Sequence, residues 1–114
     1  MTAYVQFKTL TCNTTTESGP DEVYIEYNGT KVWPSDKWYE VKEKDSVDLK
    51  EKIPHLYLVQ GRGHIRVMEY DDASPNDLIG EVWPSENEAG KGPQTSNLTG
   101  DSGNYDLTYE VISV

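Results

Sequence analysis

The 114-residue chain predicts an all-β protein, a two-sheet antiparallel β-sandwich of seven or eight strands. Three observations carry this. Tyr105, Leu107, Tyr109 and Val111 alternate with Asp106, Thr108 and Glu110, the two-residue period of a strand with one buried face. Asn28-Gly29 separates the runs 23–27 and 30–33 and reads as a type I′ hairpin turn, since both residues tolerate positive φ. Short runs of this kind, broken by turn residues, recur along the chain.

Taken in order, Tyr4 to Thr14 reads as the first strand. Its apolar phase is Val5 and Phe7, then Leu10 and Cys12, so a β-bulge is expected near Lys8-Thr9. Glu22 to Trp33 is the hairpin, and Trp38 to Val41 is a further strand. Asp45 to Lys52 has the composition for one turn of helix, stopped by Pro54. His55 to Val59 forms a strand, and Gln60-Gly61-Arg62-Gly63 turns into another at 64–70. Leu78 to Trp83 follows. The stretch 86–103, rich in Gly, Ser, Asn and Pro, reads as a long, exposed, flexible loop before the last strand. The tetrapeptide Val-Trp-Pro-Ser occurs twice, at 32–35 and 82–85, each time as a strand end rather than a domain repeat.

The length fits one domain, residues 1–114. Twenty acidic residues against ten basic give a formal charge of −10. That disfavours nucleic acid, whose phosphates need a basic footprint. It also disfavours direct docking on anionic membranes unless cations reverse the local sign. The lone Cys12 has no internal disulfide partner and fits a small core residue. No apolar run approaches the ~20 residues of a transmembrane helix. The first residues lack a secretory pattern, so the expected location is cytoplasmic, or outside the cell by a route without a signal peptide.

The chemistry concentrates at Glu69-Tyr70-Asp71-Asp72-Ala73-Ser74-Pro75-Asn76-Asp77-Leu78-Ile79-Gly80, with four carboxylates in nine positions. At a strand end, residues two apart project to the same side, so Glu69 and Asp71 would point together. The following turn would return Asp77 beside them. Converging carboxylates repel unless a cation lies between them, and hard oxygens suit Ca²⁺. A solvated acidic turn is the alternative. An EF-hand loop is excluded, because counting from Asp71 its sixth and twelfth places hold Asn76 and Val82 instead of Gly and Glu.

This stretch resembles the third calcium loop of the C2 domain family, the calcium-and-lipid-binding β-sandwich. That loop reads Asp-aromatic-Asp, a few variable residues, Asn or Asp then Asp, two apolar residues and Gly. Here Glu69, Tyr70, Asp71, Asn76-Asp77 and Leu78-Ile79-Gly80 take those places. Ser35-Asp36-Lys37-Trp38-Tyr39-Glu40 is similar to the family's Asn-Pro-x-Trp-x-Glu strand opening. Pro20-Asp21-Glu22-Val23-Tyr24-Ile25 is similar to its Asp-Pro-Tyr-Val strand start. The resemblance covers most of the chain and implies a C2-like sandwich with calcium at one pole. Its ligands would be Glu17, Asp21, Glu22, Glu69, Asp71 and Asp77, with Asp72 as an outer or second-ion ligand and Asp36 as an addition. The implied partner is a phospholipid headgroup or a protein. The departures are Glu69 in place of Asp, Thr14-Thr15-Thr16 where the family's first loop carries its earlier Asp, and a small polar loop tip, Ala73-Ser74-Pro75.

Two other classes compete. Eight Tyr and three Trp allow a carbohydrate platform, although Trp33, Trp38 and Trp83 equally fit residues that fill or flank the core. A metal-free interaction or structural domain is the third reading. An enzyme is not expected, since no nucleophile elbow, zinc-protease helix or phosphate loop occurs. His55 and His64 flank a turn without a third zinc ligand beside them.

Overall fold

The computed structural model describes residues 2–114. Ten strands form: β1 (Ala3–Thr14), β2 (Asp21–Tyr27), β3 (Thr30–Trp33), β4 (Tyr39–Val41), β5 (Ser46–Asp48), β6 (Leu56–Tyr57), β7 (Ile65–Glu69), β8 (Asp77–Val82), β9 (Gln94–Leu98) and β10 (Asn104–Ser113). One sheet runs β5-β1-β10-β9, with β6 also paired to β1. The other runs β3-β2-β7-β8, with β4 also paired to β2. Every pairing is antiparallel. Alternate residues of each sheet fill the space between them: Val5, Phe7, Leu10, Leu107 and Val111 from the first, Val23, Ile25, Val67 and Ile79 from the second.

The expected bulge is present. Phe7 pairs with Tyr109 and Thr9 with Thr108, leaving Lys8 as the extra residue and switching the buried phase of β1. The hairpin at Asn28-Gly29 is also as read, with φ of 50° and 86°. A side chain at Gly29 would meet no atom within 4 Å, so Gly29→Ala strains only the backbone. It should destabilise by about 1 kcal/mol and lower the melting temperature by several degrees, measured by calorimetry. An unchanged melting temperature would mean that the turn relaxes.

Two segments depart from the sequence reading. Residues 46–48 are strand β5, not part of a helical turn. Val47 and Leu49 are both buried, a two-residue period, and Leu49 donates its N–H to the carbonyl of the bulged Lys8 at 2.8 Å. The stretch 86–103 is not loop throughout. It holds a 3-10 turn at Glu86–Glu88, strand β9, and a second 3-10 turn at Gly100–Ser102. Polar β9 pairs only with β10, so its outer edge needs no apolar residues, and Leu98 alone anchors it in the core.

The register places the functional ends. Val23 lies opposite Glu69, and Tyr27 opposite Ile65. Asp77 opens β8 opposite Glu69. One pole of the sandwich therefore carries Asp21, Glu69 and Asp77. The other carries Asn28, His64 and Trp83.

Candidate metal centre

Acidic side chains from four segments meet at the first pole. They line a cleft of about 400 Å³ that includes Glu17, Glu22, Glu69, Asp71, Asp77 and Asp101. Two groups of carboxylates have oxygens within 4.8 Å of one another: Glu17 with Asp21 and Glu69, and Glu69 with Asp77 and Asp101. Glu69 belongs to both and is the hub. It is 5% exposed, and Asp21 beside it is 0% exposed. Burial pushes the Glu69 carboxyl up to about 7, opposed by a hydrogen bond from Thr16 and reinforced by the charges of Asp21 and Glu17.

Asp21 is held from inside the fold. Its Oδ1 accepts from the Thr16 hydroxyl at 2.8 Å and the Thr16 N–H at 3.1 Å. Its Oδ2 accepts the same N–H at 2.9 Å and the Tyr105 hydroxyl at 2.5 Å. These four contacts come from three donors, the Thr16 N–H being shared between both oxygens, and they tie both oxygens to the fold. Asp21 is thus a scaffold for Thr16 rather than an open ligand. Thr16 Oγ1 also lies 2.7 Å from Glu69 Oε1. A hydroxyl has one proton, so Thr16 serves one of the two carboxylates as donor at a time.

The 70–76 loop is tied by its own polar groups. Asp71 accepts from the Ala73 N–H at 2.9 Å and the Ser74 hydroxyl at 2.8 Å, and these bonds lower its carboxyl below the ordinary value. Asn76 Oδ1 accepts the Asp71 N–H, and its Nδ2 donates to the Tyr24 hydroxyl. Asp71 stands at the rim of the cleft with Glu22 and Asp72, outside both close groups. Asp71 shares the cleft with Glu69, as the parity argument expects, but it lies beyond the end of β7 and outside both close groups. Asp36 lies elsewhere; its carbonyl accepts from Lys31 Nζ, and it is not among the cleft residues.

Asp101 is the ligand candidate that sequence reasoning missed. It sits in the left-handed region, φ 54° and ψ 37°, inside the second 3-10 turn. Gly100 permits that turn to press on β8, since a Cβ there would lie 2.5 Å from the Ile79 carbonyl oxygen. Burial and then the charge of Asp77 raise the Asp101 carboxyl. The usable signal was Leu98, whose apolar side chain before Thr99-Gly100-Asp101-Ser102-Gly103 marks a short connection between two strands.

The histidines form no shared site. His55 stacks on Tyr4 at 4.4 Å, whereas His64 stacks on Trp83 at 4.8 Å and bonds Glu81 at 2.7 Å. Cys12 is buried, as expected.

The architecture is a C2-like β-sandwich. No family model matches the chain, and no curated protein matches it. A solved C2 domain is similar in fold, covering 99% of both chains with a TM-score of 0.58 at 10% sequence identity. A chain of the Cry23Aa1–Cry37Aa1 binary protein complex aligns over 100% of both chains at 18% identity, with a TM-score of 0.39, too loose to define a shared architecture. Among the described residues, no helix is long and apolar enough to cross a membrane.

Proposed function

We propose that this chain is a calcium-binding β-sandwich module, not an enzyme, and that it engages its partner through the acidic pole. The observation that carries this is the convergence of Glu69, Asp77 and Asp101, with Glu17 beside them, on one cleft. The donor set fits the ion, because every candidate ligand is a hard carboxylate oxygen and no cationic side chain lines the cleft. Glu17, Glu69, Asp77 and Asp101 would hold the cation, with Glu22, Asp71 and Asp72 at the rim. Bound calcium supplies a positive centre to which a phosphate, carboxylate or hydroxyl of a lipid headgroup or protein can add. The net charge of −10 argues against nucleic acid as that partner.

Melting with Ca²⁺, Mg²⁺ or chelator tests the reading. At a free Ca²⁺ concentration ten times its Kd, linkage adds about 1.4 kcal/mol, a rise of several degrees. Asp77→Asn and Asp101→Asn should each remove most of that rise. No Ca²⁺-dependent shift at millimolar concentration would leave a metal-free interaction domain as the function.

A further inference from the structure

The pole opposite the carboxylates holds a second site of different character. A cavity of about 800 Å³ there is lined by Asn28, Val59, Gln60, Arg62, His64 and Trp83 together with one glycine, and by no carboxylate. In a chain of net charge −10 that is an unusual local balance. Arg62 is exposed and has no ion-pair partner among the described residues. Trp83 is 57% exposed, although its counterpart in the other Val-Trp-Pro-Ser copy, Trp33, is 4% exposed. The expectation that all three Trp residues fill or flank the core therefore fails at Trp83.

The site is rigid where it matters. One face of the indole is backed by the His64 ring at 4.8 Å, nearly parallel at 3°. His64 is fixed by Glu81, and its N–H donates to Asn28 Oδ1 at 2.9 Å. Arg62 leaves a two-residue turn, Gln60-Gly61, whose ends exchange backbone bonds between Val59 and Arg62. Further bonds from Gly63 N–H to the Pro84 carbonyl and from Glu86 N–H to the Gly61 carbonyl bind this turn to the segment after Trp83. A second cavity, about 360 Å³, shares Gln60, Arg62 and Trp83, so the two form one groove past the ring. It carries one carboxylate, Glu86.

From this geometry we infer a saccharide-binding site for an oligosaccharide that carries a carboxylate. The open indole face offers one flat apolar plane, matched by the C–H face of a sugar ring. The Gln60 amide offers donor and acceptor in one group, and Asn28, whose Oδ1 holds the His64 N–H, adds its Nδ2 donor, which suits vicinal hydroxyls. The Arg62 guanidinium offers a planar fork to a sugar carboxylate. An acidic peptide fits less well. Recognition of acidic motifs relies on clusters of cationic side chains, and here Arg62 is the single guanidinium lining the groove, with Glu86 on its other part.

The test uses the full chain in chelator, which silences the acidic pole. The probes are hexuronic-acid and sialic-acid oligosaccharides, their carboxyl-reduced counterparts, and oligoglutamate. Isothermal titration calorimetry reads binding in every variant, and tryptophan fluorescence confirms it in the native chain, with Trp83 the exposed reporter. Saturable binding of an acidic oligosaccharide is expected. Trp83→Ala should abolish it and Trp83→Phe should restore it to within a few fold. Arg62→Gln should weaken the acidic ligand at least tenfold and leave the carboxyl-reduced one unchanged. Asp77→Asn should have no effect. Unchanged melting would show that each variant folds. Binding of no saccharide, binding indifferent to Trp83→Ala or Arg62→Gln, or binding of oligoglutamate alone would each overturn the inference.

Discussion

Between pH 4 and pH 8 the protein is expected to lose about 3 kcal/mol of stability through Glu69 alone. The folded-state carboxyl titrates at about 7, against an ordinary value of 4.5. Between pH 4.5 and about 7 the folded chain therefore holds a proton that the unfolded chain has released. Stability falls with rising pH wherever the folded state binds more protons. The contribution is fully present below pH 4.5 and is lost as pH passes 7. Burial is the main cause, since Glu69 is nine-tenths enclosed and faces the buried Asp21. Asp101 is raised as well and acts in the same direction. Asp71 and Asp106 are lowered and act oppositely, but only below the ordinary carboxylate range.

General repulsion in a chain of charge −10 also grows with pH, so the diagnostic is a difference between proteins. Calorimetry of the native chain and Glu69→Gln from pH 5 to 8 separates the two. The glutamine keeps the shape and cannot ionise. It should flatten most of the slope and leave the variant more stable than the native chain at pH 8. Parallel slopes in the two proteins would refute the assignment. If calcium binds here, it competes with the same proton. The calcium-induced rise in melting temperature should then grow between pH 5.5 and pH 7.5.

Much of this was legible in the sequence, for physical reasons that differ by segment. The half-buried strands announce themselves because one face must be apolar: β10 alternates without interruption, and β1 shows even its bulge as a phase switch. Asn28-Gly29 is legible because few residues accept two consecutive positive φ values. β9 was hidden because an edge strand pairs on one side, and its residues before Leu98 are all polar. The 46–48 strand was hidden by helix-forming neighbours whose preference yields to burial of Val47 and Leu49. At the acidic pole, local spacing picked out Glu69 and Asp77. It did not anticipate that Asp71 stands outside the close groups, at a place where β7 has ended. Asp101 depends on a turn brought to β8 by tertiary packing; Leu98 marks that short connection, but no local pattern delivers Asp101 to the cleft. The role of Tyr105 is similarly non-local, since it meets Asp21 from β10, as is the bond of Thr16 to Glu69 from the loop before β2.

Asp21→Ala is expected to cost about 4 kcal/mol at pH 5, the largest single effect at the acidic pole. Its carboxylate joins the two sheets, because Asp21 opens β2 and Tyr105 lies on β10. Removing it leaves the Tyr105 hydroxyl buried without its acceptor and takes the acceptor from the Thr16 N–H, while the Thr16 hydroxyl keeps Glu69. Tyr105→Phe should cost only about 1.5 kcal/mol, since Asp21 keeps its Thr16 bonds. In the double variant no orphaned hydroxyl remains at position 105. Its loss should fall short of the sum of the single losses by about 1–2 kcal/mol. The loss from Asp21→Ala should shrink at pH 8, where deleting one charge also relieves ionised Glu69. Denaturant unfolding at the two pH values measures all of these. A role as metal ligand predicts a different pattern, in which Asp21→Ala abolishes the calcium response as Asp77→Asn does. Because Asp21 is held inside the fold by Thr16 and Tyr105, the destabilised variant should still melt higher with calcium than with chelator. Loss of that response with additive stability effects would make Asp21 a ligand and overturn the scaffold role.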